Sequence, residues 1–140
     1  MRVHTVIAFY VLIFSCFFEL SIEKYILLFL TIGSVLSLEM INTSIEGIID
    51  ICSKEYNALA KVAKDIAAGA VMVASFVAVI IGLILFCDFS AYINMWAFFC
   101  SHKIVFAVLI LSFLLSVVYV RFGPVEMRNQ IKSKLKKFKL

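Results

Sequence analysis

Glu39-Met40-Ile41-Asn42-Thr43-Ser44-Ile45-Glu46-Gly47-Ile48-Ile49-Asp50 is the stretch whose placement decides the fold. It follows an uncharged apolar run, Tyr25 to Leu38, with no helix breaker between the two. The pair predicts one continuous helix. At about 100° per residue, Glu39, Asn42, Glu46 and Asp50 fall at roughly 0°, 300°, 340° and 20°, a stripe about 80° wide. Ile41, Ile45, Ile48 and Ile49 lie mostly elsewhere on the circumference. A helix in water would simply turn such a stripe to solvent. This one emerges from a membrane-like segment, where a carboxylate costs about 2.5 kcal/mol or more. Three carboxylates and an amide on one face there point to an ion or a reacting group between them.

Composition supports the membrane. The 140 residues are 64% hydrophobic and 16% charged, with mean hydropathy +1.10. A soluble globular chain has about 45–50% apolar and about 25% charged residues. One proline and five glycines leave little for loops and turns. Seven of the thirteen basic residues, from Arg121 and Arg128 through Lys132, Lys134, Lys136 and Lys137 to Lys139, crowd the C-terminal end. A basic tail beside an apolar span meets anionic lipid headgroups. Nucleic acid is not expected as a partner, because no aromatic platform interleaves the charges. Cys16, Cys52, Cys87 and Cys100 form no C-x-x-C pair and no zinc spacing. They are expected to be inert apolar side chains, and nothing indicates a Cys87–Cys100 bridge.

Taken in order, Thr5 to Phe18 is a short first span, extended toward the interface by Glu19 and Leu20. A cleaved signal segment is the competing reading, which bulky Phe14 and the spans that follow disfavour. Glu19 to Lys24 predicts a polar turn before the second span. After Asp50, a turn near Ser53 should lead into a helix that continues as the third span, 22 uncharged residues from Ile66 to Cys87. Its small residues Ala67, Ala68, Gly69 and Ala70 are of the kind that lets helices approach closely in lipid. Asp88 to Lys103 reads as an outer connection with Tyr92 and Trp96 as interface anchors. A fourth span of 17 uncharged residues, Ile104 to Val120, is expected to stop at Gly123-Pro124. His4 and His102 lack a partner at metal-binding spacing and are expected to face solvent.

With four spans, eleven Lys and Arg residues fall on one side and two, Lys24 and Lys103, on the other. The eleven-residue side is expected to be the cytoplasm. The acidic stripe lies on that side. Magnesium takes oxygen ligands and keeps waters and substrate phosphates in its shell. A carboxylate at the membrane surface can also act as general base toward a lipid hydroxyl. Lys61 and Lys64 nearby suit phosphates. Phosphoryl transfer from a nucleotide to a membrane alcohol fits this set, as does binding of a translocated ion. No P-loop and no kinase glycine loop is present.

Glu39-x-x-Asn42-Thr-Ser-Ile-Glu46-x-x-x-Asp50, then Glu55-Tyr56 and Ala63-Lys64-Asp65-x-Ala-Ala-Gly-Ala-Val71, resembles the prokaryotic diacylglycerol kinase family, which includes undecaprenol kinases. The resemblance runs from about Arg2 to Phe86, and Ala67 to Val71 looks more like the undecaprenol branch. It implies an all-α integral membrane protein, homotrimeric, with active sites shared between protomers. Residues 1–88 would form the kinase core with three spans, and residues 89–140 an extra span and basic cytoplasmic tail. By the same resemblance, Glu39 would be the general base on the lipid hydroxyl and Glu46 the ligand of Mg2+ and, through it, of ATP. Glu55, Tyr56, Asn57, Lys64 and Asp65 would contact the nucleotide. Asn42 and Asp50 would support the carboxylates, and Ala68 would lie near the lipid path. The localisation implied is the bacterial inner membrane, with a cytoplasmic active site.

Each residue has a plainer role beside this one. Glu39 and Glu46 would serve as a hydrogen-bonded pair between helices, Lys64 as an interface lysine, Asp65 as a helix cap, and Tyr56 and Asn57 as turn residues. The chain also departs from the family. Family members place an amphipathic surface helix, with a metal- and ATP-binding acidic residue, ahead of an Arg-x-His. Arg2-Val-His4 matches the Arg-x-His, so that helix and its contacts are expected to be missing. A catalytically impaired, non-enzymatic membrane subunit is therefore the alternative, and an ion-translocating subunit a third. The tail is expected to bind anionic lipid.

Overall fold

The computed structural model describes residues 2–52 and 57–138, with side chains described as far as Arg121. Five helices follow in order: α1 (Arg2–Ser15), α2 (Ile22–Cys52), α3 (Ala58–Leu85), α4 (Phe89–Ser101) and α5 (Lys103–Phe138). There is no strand among the described residues. The protein is all-α, and its surface is that of a membrane protein. Large apolar side chains such as Phe29, Leu30, Phe76 and Leu83 stand in the open on α2 and α3. In water, patches of that extent mark an interaction surface; here lipid is the partner.

Three segments are long and apolar enough to cross a membrane: Ile22–Cys52, Ala58–Leu85 and Lys103–Arg121. At about 1.5 Å per residue the 14-residue α1 reaches only about 21 Å, short of the roughly 30 Å hydrocarbon core. Of the four expected spans, three are thus helices of spanning length, and α1 is a shorter apolar helix. The continuous helix expected from Tyr25 to Asp50 is present and begins slightly earlier, at Ile22.

The chain falls into two units, Val3–Ile93 and Asn94–Leu140. In the first, α2 and α3 pack lengthwise, with Leu28, Val35, Ala67, Val71 and Leu85 buried. Within α2 the hydroxyls of Thr31, Ser34, Thr43 and Ser44 donate to carbonyls one turn back, at 2.7–2.8 Å. Polar side chains in a span are satisfied this way without a partner helix. At the opposite end from the acidic stripe, Phe18 is buried and meets Phe86 and Tyr92 edge-on, with ring centroids 4.9 and 5.0 Å away. Ser15, also buried, accepts at its carbonyl from the Tyr25 hydroxyl at 3.3 Å. These contacts fasten the end of α1 to α2, α3 and the start of α4.

Four expectations change. The stretch between Asp88 and Lys103 is a helix, α4, because the Asp88 carboxylate accepts from the backbone N–H groups of Ser90 and Ala91, at 2.9 and 3.4 Å, as an N-cap does. Tyr92 there packs on Phe18 rather than standing only as an interface anchor. Gly123-Pro124 does not stop α5, which runs on to Phe138. A proline removes one backbone donor and crowds the preceding turn, which can bend a helix without ending it. Of the small residues on α3, Ala67 alone is buried; Ala68 and Ala70 are exposed, and a Cβ at Gly69 would meet nothing within 4 Å. The close approach expected of the whole run belongs to Ala67.

Candidate functional site

Glu39 sits near the middle of α2, with its side chain 12% exposed. Its carboxylate Oε1 lies 2.5 Å from Nδ1 of His4, whose side chain is 27% exposed. His4 Nδ1 is buried and meets no hydrogen-bond partner of good geometry among the described residues, so its contact with the carboxylate is a close polar one. On its other side, His4 Nε2 lies 3.2 Å from Ser75 Oγ on α3. One imidazole thus joins α1, α2 and α3. The expectation that His4 faces solvent is corrected: α1 packs its first turn onto the acidic stripe, where the carboxylate supplies the partner. His102 does stand exposed, stacked on Phe98 at 4.4 Å.

His4 and Ser75 also line one end of a cavity of about 310 Å3 between α1, α2 and α3. Its walls are Ile7, Ala8 and Val11 of α1, Leu28, Ile32, Val35 and Leu36 of α2, and Ala78, Val79, Ile81 and Gly82 of α3, with Thr31 and Phe86 completing it. The Thr31 hydroxyl bonds its own helix. The groove is therefore almost wholly apolar, with an imidazole and a hydroxyl at one end beside Glu39.

Further along α2, Asn42 Nδ2 donates to Glu46 Oε1 at 2.8 Å, one turn apart. Asn42 Oδ1 is buried and has no hydrogen-bond partner among the described residues. Asp50, near the end of α2, pairs with Lys64 of α3. Glu39 with Ser75 and Asp50 with Lys64 share one antiparallel register, and the same register sets Ala68 level with Glu46. Ala68 and Asp65 are exposed on α3. Asp65 lies inside that helix; the cap is Asn57, whose Oδ1 accepts from Leu59 N at 2.9 Å and Ala60 N at 3.3 Å. Glu55 and Tyr56 lie outside the described residues.

The structure therefore joins Glu39 with His4 and Ser75, Asn42 with Glu46, and Asp50 with Lys64. Asp65 and Ala68 enter none of these contacts. Among the described residues no three His, Cys, Asp or Glu side chains converge as a metal site. The donors that would suit magnesium are the Glu46 carboxylate and the orphaned Asn42 oxygen, both hard oxygens on one face.

An all-helical membrane protein that carries a carboxylate against a histidine lining an apolar groove is the class that fold and site define. Residues 1–86 match the family model for prokaryotic diacylglycerol kinase. The match ends where α3 does, at its C-cap Phe86. The chain belongs to the prokaryotic diacylglycerol kinase family. It is 46% identical over 83 residues to the undecaprenol kinase of Bacillus subtilis, an alignment covering 59% of this chain and 68% of that one. To a diacylglycerol kinase of Synechocystis it is 39% identical over 82 residues, covering 58% of this chain and 47% of that one. The chain thus spans about half the length of the Synechocystis relative. No solved structure matches it.

Proposed function

We propose that the protein is a lipid kinase that transfers the γ-phosphoryl group of ATP to the hydroxyl of a membrane lipid at the cytoplasmic face of a bacterial inner membrane. The observation that carries this is the contact of Glu39 with His4, a residue that lines the apolar groove. A lipid lying along that groove presents its hydroxyl to the carboxylate, which takes the proton as general base. The relatives named undecaprenol kinase and diacylglycerol kinase support the lipid class, and both alcohols present such a hydroxyl. Phosphorylating either recycles an envelope or phospholipid intermediate.

Spacing along α2 supports the division of labour. Glu46 lies seven residues beyond Glu39, about 10 Å at 1.5 Å per residue. A base about 3 Å from the hydroxyl, a phosphorus about 3 Å further and a magnesium ion about 2 Å from its oxygens fill a similar distance. Glu46, with Asn42 beside it, would hold Mg2+, which neutralises the transferring phosphoryl charge when bound. Lys64 would meet phosphate oxygens when it leaves Asp50, and Glu55, Tyr56, Asn57 and Asp65 would border the nucleotide. Two oxygen donors are few for magnesium, and the remainder would come from phosphate, water and a neighbouring copy in a homotrimer. The clustering of Lys and Arg on the stripe's side supports a cytoplasmic site. Residues 89–140 would be an addition to the kinase core formed by residues 1–88.

The test is transfer of labelled phosphate from ATP with Mg2+, offering diacylglycerol and undecaprenol separately to the detergent-solubilised protein. Transfer to one lipid establishes the activity and its branch. A folded, oligomeric protein that transfers to neither favours the non-enzymatic subunit, in which the same polar contacts serve packing alone.

A further inference from the structure

His4 touches both the candidate base and the third helix, and nothing in the proposed reaction uses it. Two unprotonated acceptors 2.5 Å apart would repel, so with Glu39 ionised Nδ1 of His4 is a protonated ring nitrogen. A neutral imidazole protonated at Nδ1 keeps its lone pair on Nε2. Ser75 Oγ, 3.2 Å from Nε2, then donates its hydroxyl proton there. The acceptor-only carboxylate selects this tautomer, and the Ser75 hydroxyl, which can donate or accept, satisfies the other ring nitrogen. The consequence for Glu39 is geometric. A long side chain on a span has several staggered rotamers, and an imidazole held on Oε1 restricts the carboxylate to those aimed at the groove's polar end.

Resting on the lipid-kinase reading above, we propose that His4 is a positioning residue for phosphoryl transfer: the close contact of its Nδ1 with Oε1 orients Glu39 toward the lipid hydroxyl, and Ser75 anchors the ring at Nε2. The cavity geometry agrees, because His4 and Ser75 both line the groove at the end where the hydroxyl must sit. His4 does not itself exchange a proton with the substrate. No step passes through it, and its effect is on the base's orientation.

The choice of variants separates positioning from mere packing. An asparagine at position 4 places an amide N–H near the site of the imidazole Nδ1. A glutamine places its amide nearer Nε2, away from Glu39. The proposal expects His4→Ala to lower kcat by about ten- to a hundredfold, the range for losing a hydrogen bond to a charged group, with nucleotide KM unchanged. His4→Asn should recover most of kcat and His4→Gln much less. Ser75→Ala should lower kcat only a few-fold, about the effect of one neutral hydrogen bond. Circular dichroism and size-exclusion profiles of each variant, in the detergent used for the assay, establish folding. In the wild type, the ring 15N shifts of His4 should report the Nδ1–H tautomer, which Ser75→Ala should retain because the Glu39 carboxylate sets it.

Wild-type turnover with an equally active His4→Ala would overturn the proposal alone. Equal rates for the Asn and Gln variants would do the same, as would an Nε2–H tautomer in the wild type. A wild type that phosphorylates no lipid would overturn the kinase reading first, and the positioning role with it.

Discussion

Lys64 of α3 reaches across to Asp50 of α2, one helix-to-helix ion pair at the end of the acidic stripe. The same antiparallel register aligns Glu39 with Ser75, where His4 closes the gap. The stripe therefore has two tied ends and a middle, Asn42 and Glu46, whose polar contact lies within α2 itself. That middle lies level with Ala68, which is exposed on α3.

The Asp50–Lys64 pair is exposed, with side chains 66% and 35% accessible. Exposed pairs contribute about 0–1 kcal/mol. Asp50→Asn should therefore leave thermal stability within about 1 kcal/mol of wild type. If Lys64 serves phosphate, Lys64→Met should raise the nucleotide KM about tenfold, the loss of one charge-assisted contact, while Asp50→Asn changes it little. Equal KM values for the two variants would reduce the lysine to its pairing role. The measurement is a nucleotide titration of lipid phosphorylation for each single variant and the double variant.

Glu39→Gln keeps the shape of the side chain and removes its basicity. A general base contributes about 10²- to 10⁴-fold, so kcat should fall within that range. Nucleotide binding should persist, since Glu39 lies about 10 Å along the helix from Glu46. Single-turnover kinetics with saturating ATP and Mg2+ reads the chemical step directly. Wild-type rates in this variant would remove Glu39 from the role.

Glu46→Gln addresses the metal. The variant retains an oxygen but loses the charge that favours Mg2+. The Mg2+ concentration for half-maximal activity should rise at least tenfold, an estimate that follows from losing one charged ligand. Asn42→Ala should produce a smaller shift in the same direction, because it removes both the oriented donor to Glu46 and the orphaned oxygen. An unchanged magnesium curve in both would place the metal elsewhere.

How far the chain could be read beforehand depended on the kind of contact. α2 and α3 were legible because apolar runs and an acidic stripe are periodic within one helix. The His4–Glu39 contact was not, because it joins residues 35 positions apart and leaves no spacing signature. A faint signal existed: Ile7, Ala8 and Val11 follow His4 at helical spacing and share its lining of the groove. α4 was missed because thirteen residues between charged ends look like a connection. Asp88 followed by Ser90 and Ala91 was the cap that announced it. The run through Gly123-Pro124 was misread because breaker residues predict local cost, whereas a long helix tolerates one lost hydrogen bond.

Asn57 separates two roles cleanly. As an N-cap it holds two backbone N–H groups at the start of α3. Removing such a cap costs about 0.5–2 kcal/mol. Asn57→Ala should lower the melting temperature, and Asn57→Asp or Asn57→Ser should restore it. If the cap is the whole of its function, all three variants keep the wild-type nucleotide KM at temperatures where they are folded. A raised KM in the well-capped serine variant would instead indicate direct contact with the nucleotide.

Asp88 gives the fold a pH-dependent end. Its carboxylate accepts from the Ser90 hydroxyl at 2.7 Å and from the Ser90 and Ala91 backbone N–H groups. The Ser90 hydroxyl bond foremost, then that from its N–H, holds the group below its ordinary value of 3.8. A depressed folded value means that ionised Asp88 favours the folded form. Its contribution is complete above the ordinary value and is lost as pH falls through the lower, folded one. The start of α4 should therefore loosen below about pH 4, and only modestly, because the group is open to solvent. Asp88→Asn, which can still cap but cannot titrate, should show no such change. Hydrogen exchange at the Ser90 and Ala91 amides, corrected for the intrinsic pH dependence and followed from pH 6 to pH 3, would read this directly. Parallel profiles for wild type and Asp88→Asn would mean that some other group governs the acid loosening of α4.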